Sequence, residues 1–373
     1  MKINLEELFK DLQNSCDALT RSNTKSTFIS NFEDFQKLNS IFALITDFYY
    51  EESEFVDNNY KEEYLNSSNK KNIFDFYNAY YENEMFFLSA TNNFDKALND
   101  INFFSMPFYD TLEKFNEKDY IDIILFFCSK FGNNVYKIAK KYFDEQKIQN
   151  GLHGDIEFER AYFDSRFSKT GYISIYDNKL NSKSLSFLAH ELGHVVDREV
   201  FIFPQQKKLS IKDELMIEVP SAFYEIEFLN FLKNEHIDVN GSLILLNSIY
   251  DMVREFNETL EEIYCYDDAY VDESGDLIVK IEDNVFDSVN LKQVVYYSVG
   301  YLLGFHLSNL YENERNKFDK KFFNLLCARK EKSITQSIQD LGYSLDEFIS
   351  GKIILPKVKE TTLELKKRYN IKY

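Results

Sequence analysis

Apolar positions recur at three- and four-residue intervals along most of the chain, a spacing that predicts helices rather than strands. Leu5, Leu8, Phe9, Leu12, Cys16 and Leu19 form one stripe, and Phe28, Phe32, Phe35, Leu38, Phe42 and Ile45 form another. Ser30 followed by Glu33 has the spacing of a capping box inside the second stripe. Further helices are predicted from Asn72 to Leu88, Tyr120 to Phe131 and Asn134 to Gln149, with short polar stretches between them. Around Gln149 to Gly154 two glycines break the helical register. The chain divides there into a helical portion over 1–150 and a second portion over 151–373. The period then changes, because Gly171 to Asp177 alternates apolar and polar residues in the manner of a strand. A polar turn follows, then a helix from about Ser184. Farther on, Tyr266 to Val271 and Leu277 to Ile281 flank an acidic turn containing Gly275 and read as a hairpin. From Leu291 to the end the pattern is helical again, with Pro356 marking a last break.

Composition strengthens the helical reading. Aromatic residues reach 17%, with 36 Phe and 26 Tyr, while 11 Gly and 4 Pro leave few turn formers for a β architecture. A length of 373 residues allows a sizeable core in two domains or one large one. The net charge of −19 argues against a phosphate-binding surface, so no nucleic-acid partner is expected. Cys16, Cys128, Cys265 and Cys327 lie far apart with no C-x-x-C pair, which excludes a zinc knuckle and a dithiol redox motif. No apolar run approaches the ~20 residues of a membrane helix. The nearest, Ile121 to Cys128, contains Asp122. The charged first residues lack the apolar region of a signal peptide, so a cytoplasmic protein is expected, with no membrane partner. The acids of the turn Asp272 to Asp276 lack the spacing of a calcium-binding EF-hand loop and read as a solvated turn.

The chemistry concentrates in His190-Glu191-Leu-Gly-His194. Positions i and i+4 of a helix face the same way, so both imidazoles can reach one metal ion. Glu191, about 100° round the axis, can reach a water on that metal. An amphipathic helix with Leu185, Leu188, Leu192 and Val195 inside and two histidines outside would carry the same spacing. In zinc peptidases of this design an edge strand beside the metal pairs with the extended substrate backbone, which gives the strand at 171–177 a functional reading.

A catalytic zinc usually holds three protein ligands. Two downstream glutamates compete for the third place, Glu214 after 19 intervening residues and Glu218 after 23. Pro220 is tolerated mainly in the first turn of a helix, so a helix is predicted to start near Met216 to Val219. That start leaves Glu214 outside the helix, and Glu225 shares a face with Glu218, where it could orient a zinc-bound histidine. A continuous helix kinked at Pro220 would instead put Glu214 and Glu218 on one face.

Residues 184–225 resemble the thimet oligopeptidase and oligoendopeptidase F family of zinc metallopeptidases. Gly193 matches the glycine of its H-E-x-G-H pattern, and Glu218-Val-Pro-Ser-Ala-Phe-Tyr-Glu225 matches the segment carrying the family's third ligand. Tyr297 to Gly304 is similar to the Tyr-x-x-x-Tyr-x-x-Gly segment that brings tyrosine hydroxyls to the substrate carbonyl. The resemblance implies a mainly α, zincin-like helical metallopeptidase with a small β-sheet beside the H-E-x-x-H helix. It implies one Zn²⁺ held by His190, His194 and Glu218, with Glu191 as general base and Tyr301 or Tyr297 at the oxyanion. The implied activity is zinc-dependent endopeptidase cleavage of short peptides. The family's histidine before these tyrosines is absent, since none occurs between His236 and His306. His306 could supply its role. That departure keeps open a second reading, a zinc-binding but catalytically inactive peptide-binding protein of the same fold.

Overall fold

The computed structural model describes residues 115–150, 161–164, 172–175, 180–202, 216–238, 269–271, 277–279, 288–328, 334–352 and 354–368, with isolated positions elsewhere. The two N-terminal stripes, the Ser30–Glu33 box, the helix at 72–88, the acidic turn 272–276 and Glu214 lie outside the described residues. Among these residues two compact units are distinguished, one up to residue 195 and one from 196 onward.

The first unit opens with helix α1 (Glu117–Ser129), where the side-chain oxygen of Asn116 accepts from the backbone N–H groups of Lys118 at 3.1 Å and Asp119 at 3.0 Å. That contact satisfies two of the donors a helix start leaves unpaired. Tyr120, Ile124 and Phe127 form its buried stripe. Gly132, at φ +100°, makes a turn that a residue with a β-carbon would strain to adopt, and α2 (Asn133–Asp144) follows. The predicted helix to Gln149 stops five residues early. Gln146 takes φ +54°, and the Lys147 amide donates back to the Tyr142 carbonyl at 2.8 Å, closing the helix in a Schellman-type turn. The next residues are claimed by strand pairing, which outweighs their local helical pattern.

Strands β1 (Ile148–Asn150), β2 (Ala161–Asp164) and β3 (Tyr172–Ile175) form a three-stranded sheet in the order β1-β3-β2. β3 is parallel to β1, with Ile148 opposite Ile173, and antiparallel to β2, with Phe163 opposite Ile173. The strand read from 171–177 therefore exists, but it is central rather than an edge. Both of its hydrogen-bonding sides are taken by neighbours, so it has no free ladder for a substrate backbone. Ile173 and Ile175 point to one face and have no exposed surface. Helix α3 (Ser182–Asp197) follows the sheet directly in sequence, and a single π-helical turn, Arg198–Ile202, extends it.

The second unit is built on α4 (Glu218–Asn234) and α5 (Ser288–Asn313), which pack along each other. Every residue from Val219 to Leu229 is buried, so α4 is enclosed on all sides, with Ser221, Glu225 and Glu227 as polar groups within that buried run. Pro220 is its third residue, so the helix starts where the proline predicted. The alternative of a continuous helix kinked at that point turns on residues 203–215, which lie outside the described residues. Strands β4 (Ala269–Val271) and β5 (Leu277–Val279) pair antiparallel with Val271 opposite Leu277, giving the expected hairpin. Helices α6 (Arg315–Ala328), α7 (Ile334–Leu341), α8 (Leu345–Ile349) and α9 (Ile354–Arg368) complete the unit. Phe223 of α4 stacks on Phe318 of α6 at 5.0 Å between ring centroids, and Lys233 reaches Glu364 of α9 at 2.7 Å. Pro356 does not break a helix. It occupies the first turn of α9, where its missing N–H would have had no partner anyway. The described fold is mainly helical with little sheet, and no helix among the described residues is long and apolar enough to cross a membrane.

Candidate metal centre

The H-E-x-x-H segment lies wholly within α3, whose register is set at its start. The side-chain oxygen of Asn181 accepts from the amides of Lys183 at 2.8 Å and Ser184 at 3.0 Å, while the Asn181 amide donates to Ser184 Oγ at 2.8 Å. This reciprocal cap leaves Leu185, Leu188, Leu192 and Val195 in the core. His190 and His194, one turn apart, hold their ring centroids 5.2 Å apart with planes at 76°. His190 is buried and His194 is half-buried. An amphipathic helix with both histidines turned to solvent would not bury His190, so that alternative does not describe α3.

Glu218 is the first residue of α4, where a carboxylate is favoured by the positive end of the helix dipole. The buried Ser221 hydroxyl lies 3.0 Å from Glu218 Oε2 and 2.9 Å from the Glu218 carbonyl, sharing its one proton between them. Ligand-capable atoms of His190, His194 and Glu218 all lie within 4.8 Å of one another. Tetrahedral ligand atoms around zinc stand about 3.5 Å apart, so small side-chain rotations would close this group on an ion. Two imidazoles and one carboxylate also form a donor set that leaves one position open on zinc. The three residues could therefore hold a metal ion. Glu191 is half-buried beside His190 and is not one of the three.

Glu225 and Tyr301 meet in the packing of α4 against α5. Tyr301 Oη donates to Glu225 Oε2 at 2.7 Å, and both side chains are buried. Burial, then the charge and hydrogen bond of Glu225, then Tyr297 and Glu218, hold the Tyr301 hydroxyl well above its usual range. It therefore stays protonated as a donor throughout the working pH range. Tyr297 lies one turn before it on α5 and is half-buried. The contact of Ser221 with Glu218 was not foreseen from sequence, although the three-residue spacing at a helix start carries the signal.

His306 lies on the same helix but in different surroundings. Its side chain has no exposed surface, stacks on Phe348 at 4.4 Å and 13°, and meets Tyr343 edge-on at 4.6 Å. Neither ring nitrogen has a hydrogen-bond partner among the described residues. So enclosed, its ring is part of the core packing. Burial pushes it down to about 3, against a slight opposing pull from Glu347. The folded state thus keeps His306 neutral, while the unfolded chain protonates it below about 6.5. Stability from this source is complete above pH 6.5 and is lost as the pH falls from there toward 3. Between pH 7 and pH 5 the expected loss is about 2 kcal/mol. Denaturant titrations across that range should show it in the parent and not in His306→Phe. Equal slopes for the two proteins would sink this assignment.

No family model matches the chain, and no curated protein matches it in sequence. Solved structures do. A provisionally assigned oligoendopeptidase F, solved at 3.1 Å, aligns at a TM-score of 0.51 and 11% identity over 94% of this chain and 70% of its own. A provisionally assigned oligoendopeptidase F from Bacillus anthracis str. Ames aligns at 0.47 and 12%, over 96% and 74%. A provisionally assigned peptidase from Chlamydophila abortus aligns at 0.46 and 12%, over 96% of this chain but only 62% of that one. The first of these likenesses shows that the chain has an oligoendopeptidase F-like fold, the fold of the family that residues 184–225 resemble.

Proposed function

We propose that this protein is a zinc-dependent endopeptidase acting on short peptides, with His190, His194 and Glu218 as the metal ligands and Glu191 as the general base. The observation that carries the reading is the convergence of the three ligand atoms within 4.8 Å, although Glu218 lies more than 20 positions beyond the two histidines in the chain. When bound, a zinc ion would supply Lewis acidity, polarising a peptide carbonyl and lowering the pKa of a water toward ~7. The Glu191 carboxylate takes the proton of the attacking water and passes it to the leaving amine. Ser221 orients the Glu218 carboxylate through Oε2. Tyr301, kept protonated, donates to the oxygen that becomes negative, exchanging Glu225 for it. The Cys128 thiol, outside any disulfide, fits a reducing compartment, and we place the activity in the cytoplasm. Burial pushes the Cys128 thiol up to about 12, so it is not a competing nucleophile.

The test is a quenched-peptide library assayed with and without chelator, beside metal analysis of protein purified without added zinc. Chelator-sensitive internal cleavage and one zinc per chain are expected. Stoichiometric zinc without cleavage of any peptide would favour the inactive peptide-binding reading, and a metal-free, inactive protein would end both.

Tyr301→Phe should lower kcat by roughly 10²-fold with little change in KM, because a hydroxyl that bonds the oxyanion contributes to the transition state and hardly to the ground state. Steady-state kinetics on one cleaved peptide measures this. An unchanged kcat would leave Tyr301 as the buried partner of Glu225 and transfer the oxyanion role to Tyr297.

A further inference from the structure

Helix α5 carries no side chain at two positions one turn apart, Gly300 and Gly304, on the face it turns to α4. A β-carbon built on Gly300 would lie 2.6 Å from Glu218 Cβ, 2.7 Å from the Glu218 carbonyl oxygen and 2.9 Å from its carbonyl carbon. Built on Gly304, it would meet the next turn instead, at 3.1 Å from Ile226 Cδ1 and the Phe223 amide and 3.2 Å from the Ala222 carbonyl carbon. We infer that Gly300 is a positioning residue for the metal centre: its missing side chain lets α5 seat the first residue of α4, and with it Glu218, at ligand distance from the two histidines. The inference rests on the proposed ligand role of Glu218.

Magnitudes make the case. Non-bonded carbons settle at about 3.5–4.0 Å, so any side chain at position 300 requires a shift of about 1 Å. The atoms in the way include main-chain atoms of Glu218, so rotating the carboxylate aside does not relieve the overlap. Metal–ligand distances tolerate only about 0.2 Å. A shift several times that tolerance removes Glu218 Oε1 or Oε2 from ligand distance or opens the helix start that Ser221 braces. Gly304 gives a built-in comparison, since its contacts are looser and fall on Ala222 and Phe223, which hold nothing in the site.

The experiment is zinc titration of the full chain against a chromophoric chelator for the parent, Gly300→Ala and Gly304→Ala, with apo-protein melting followed in parallel. The parent is expected to bind one zinc, Gly300→Ala to bind it 10–100-fold more weakly, the cost typical of disturbing a ligand's support, and Gly304→Ala to stay within about 3-fold. A parent that binds no zinc would overturn the ligand assignment itself. A parent that binds, with Gly300→Ala equally tight, would overturn this inference alone. Equal weakening in both variants would also overturn it, because generic helix packing would then explain the loss. If Gly300→Ala is unfolded in buffer, the titration is repeated in trimethylamine N-oxide, which favours the compact state. A chain still unfolded there would assign Gly300 to folding of the helix pair and overturn the ligand-placing role.

Discussion

Glu191→Gln is expected to keep its zinc and to lose peptide hydrolysis by ~10²- to 10⁴-fold, the range for removal of a general base. The amide preserves the shape of the carboxylate and the packing of α3, but it cannot accept the proton of the attacking water. Retention of metal follows from geometry, because Glu191 lies outside the group formed by His190, His194 and Glu218. Its position next to His190 sets it about 100° round the helix. It is half-buried rather than enclosed in the core. The paired measurement is zinc stoichiometry and kcat on the same preparation. Cleavage at the parent rate would remove Glu191 from the mechanism, and loss of zinc would make it a ligand or a structural support instead.

Glu218→Ala should lose zinc and activity together, with affinity falling by at least ~10²-fold, since removing a direct ligand costs no less than removing a residue that orients one. Glu214→Ala should retain stoichiometric zinc. Of the two acids, Glu218 lies among the described residues and Glu214 outside them. Glu218 is the first helical residue, its carboxylate is braced by Ser221, and its ligand atom approaches both histidines. Glu214 precedes the turn formed by Met216 and Ile217. Metal analysis of the two variants decides the question. A zinc-free Glu214→Ala beside a zinc-replete Glu218→Ala would overturn the ligand set and, with it, the likeness to Glu218–Glu225 of the oligopeptidase pattern.

The elements legible in the sequence are those whose cause lies within a few residues. The H-E-x-x-H helix, the start of α4 at Pro220, the alternation at 172–175 and the β4–β5 hairpin all follow from local periodicity or from a residue that restricts its own backbone. The three metal-centre candidates were legible for the same reason, two from helical spacing and one from its place in a matched segment.

The rest depended on neighbours distant in the chain. α2 ends at Asp144 because residues 148–150 find a partner at 173–175, and local pattern cannot weigh that pairing. β3 is central because strands on both sides claim its hydrogen bonds, a fact no alternation of its own residues encodes. His306 was a candidate in sequence because histidine is a chemical residue. Packing against Phe348 and Tyr343 makes it part of the core. Tyr301 and Glu225, separated by 76 positions, form their hydrogen bond only because α4 and α5 lie side by side. By itself, then, the sequence determined a mainly helical chain with an H-E-x-x-H helix and a named set of acids and tyrosines. Only the tertiary structure decided which of these groups meet and how closely Gly300 lets α5 approach Glu218, because contact distances depend on the packing of whole helices rather than on spacing along one.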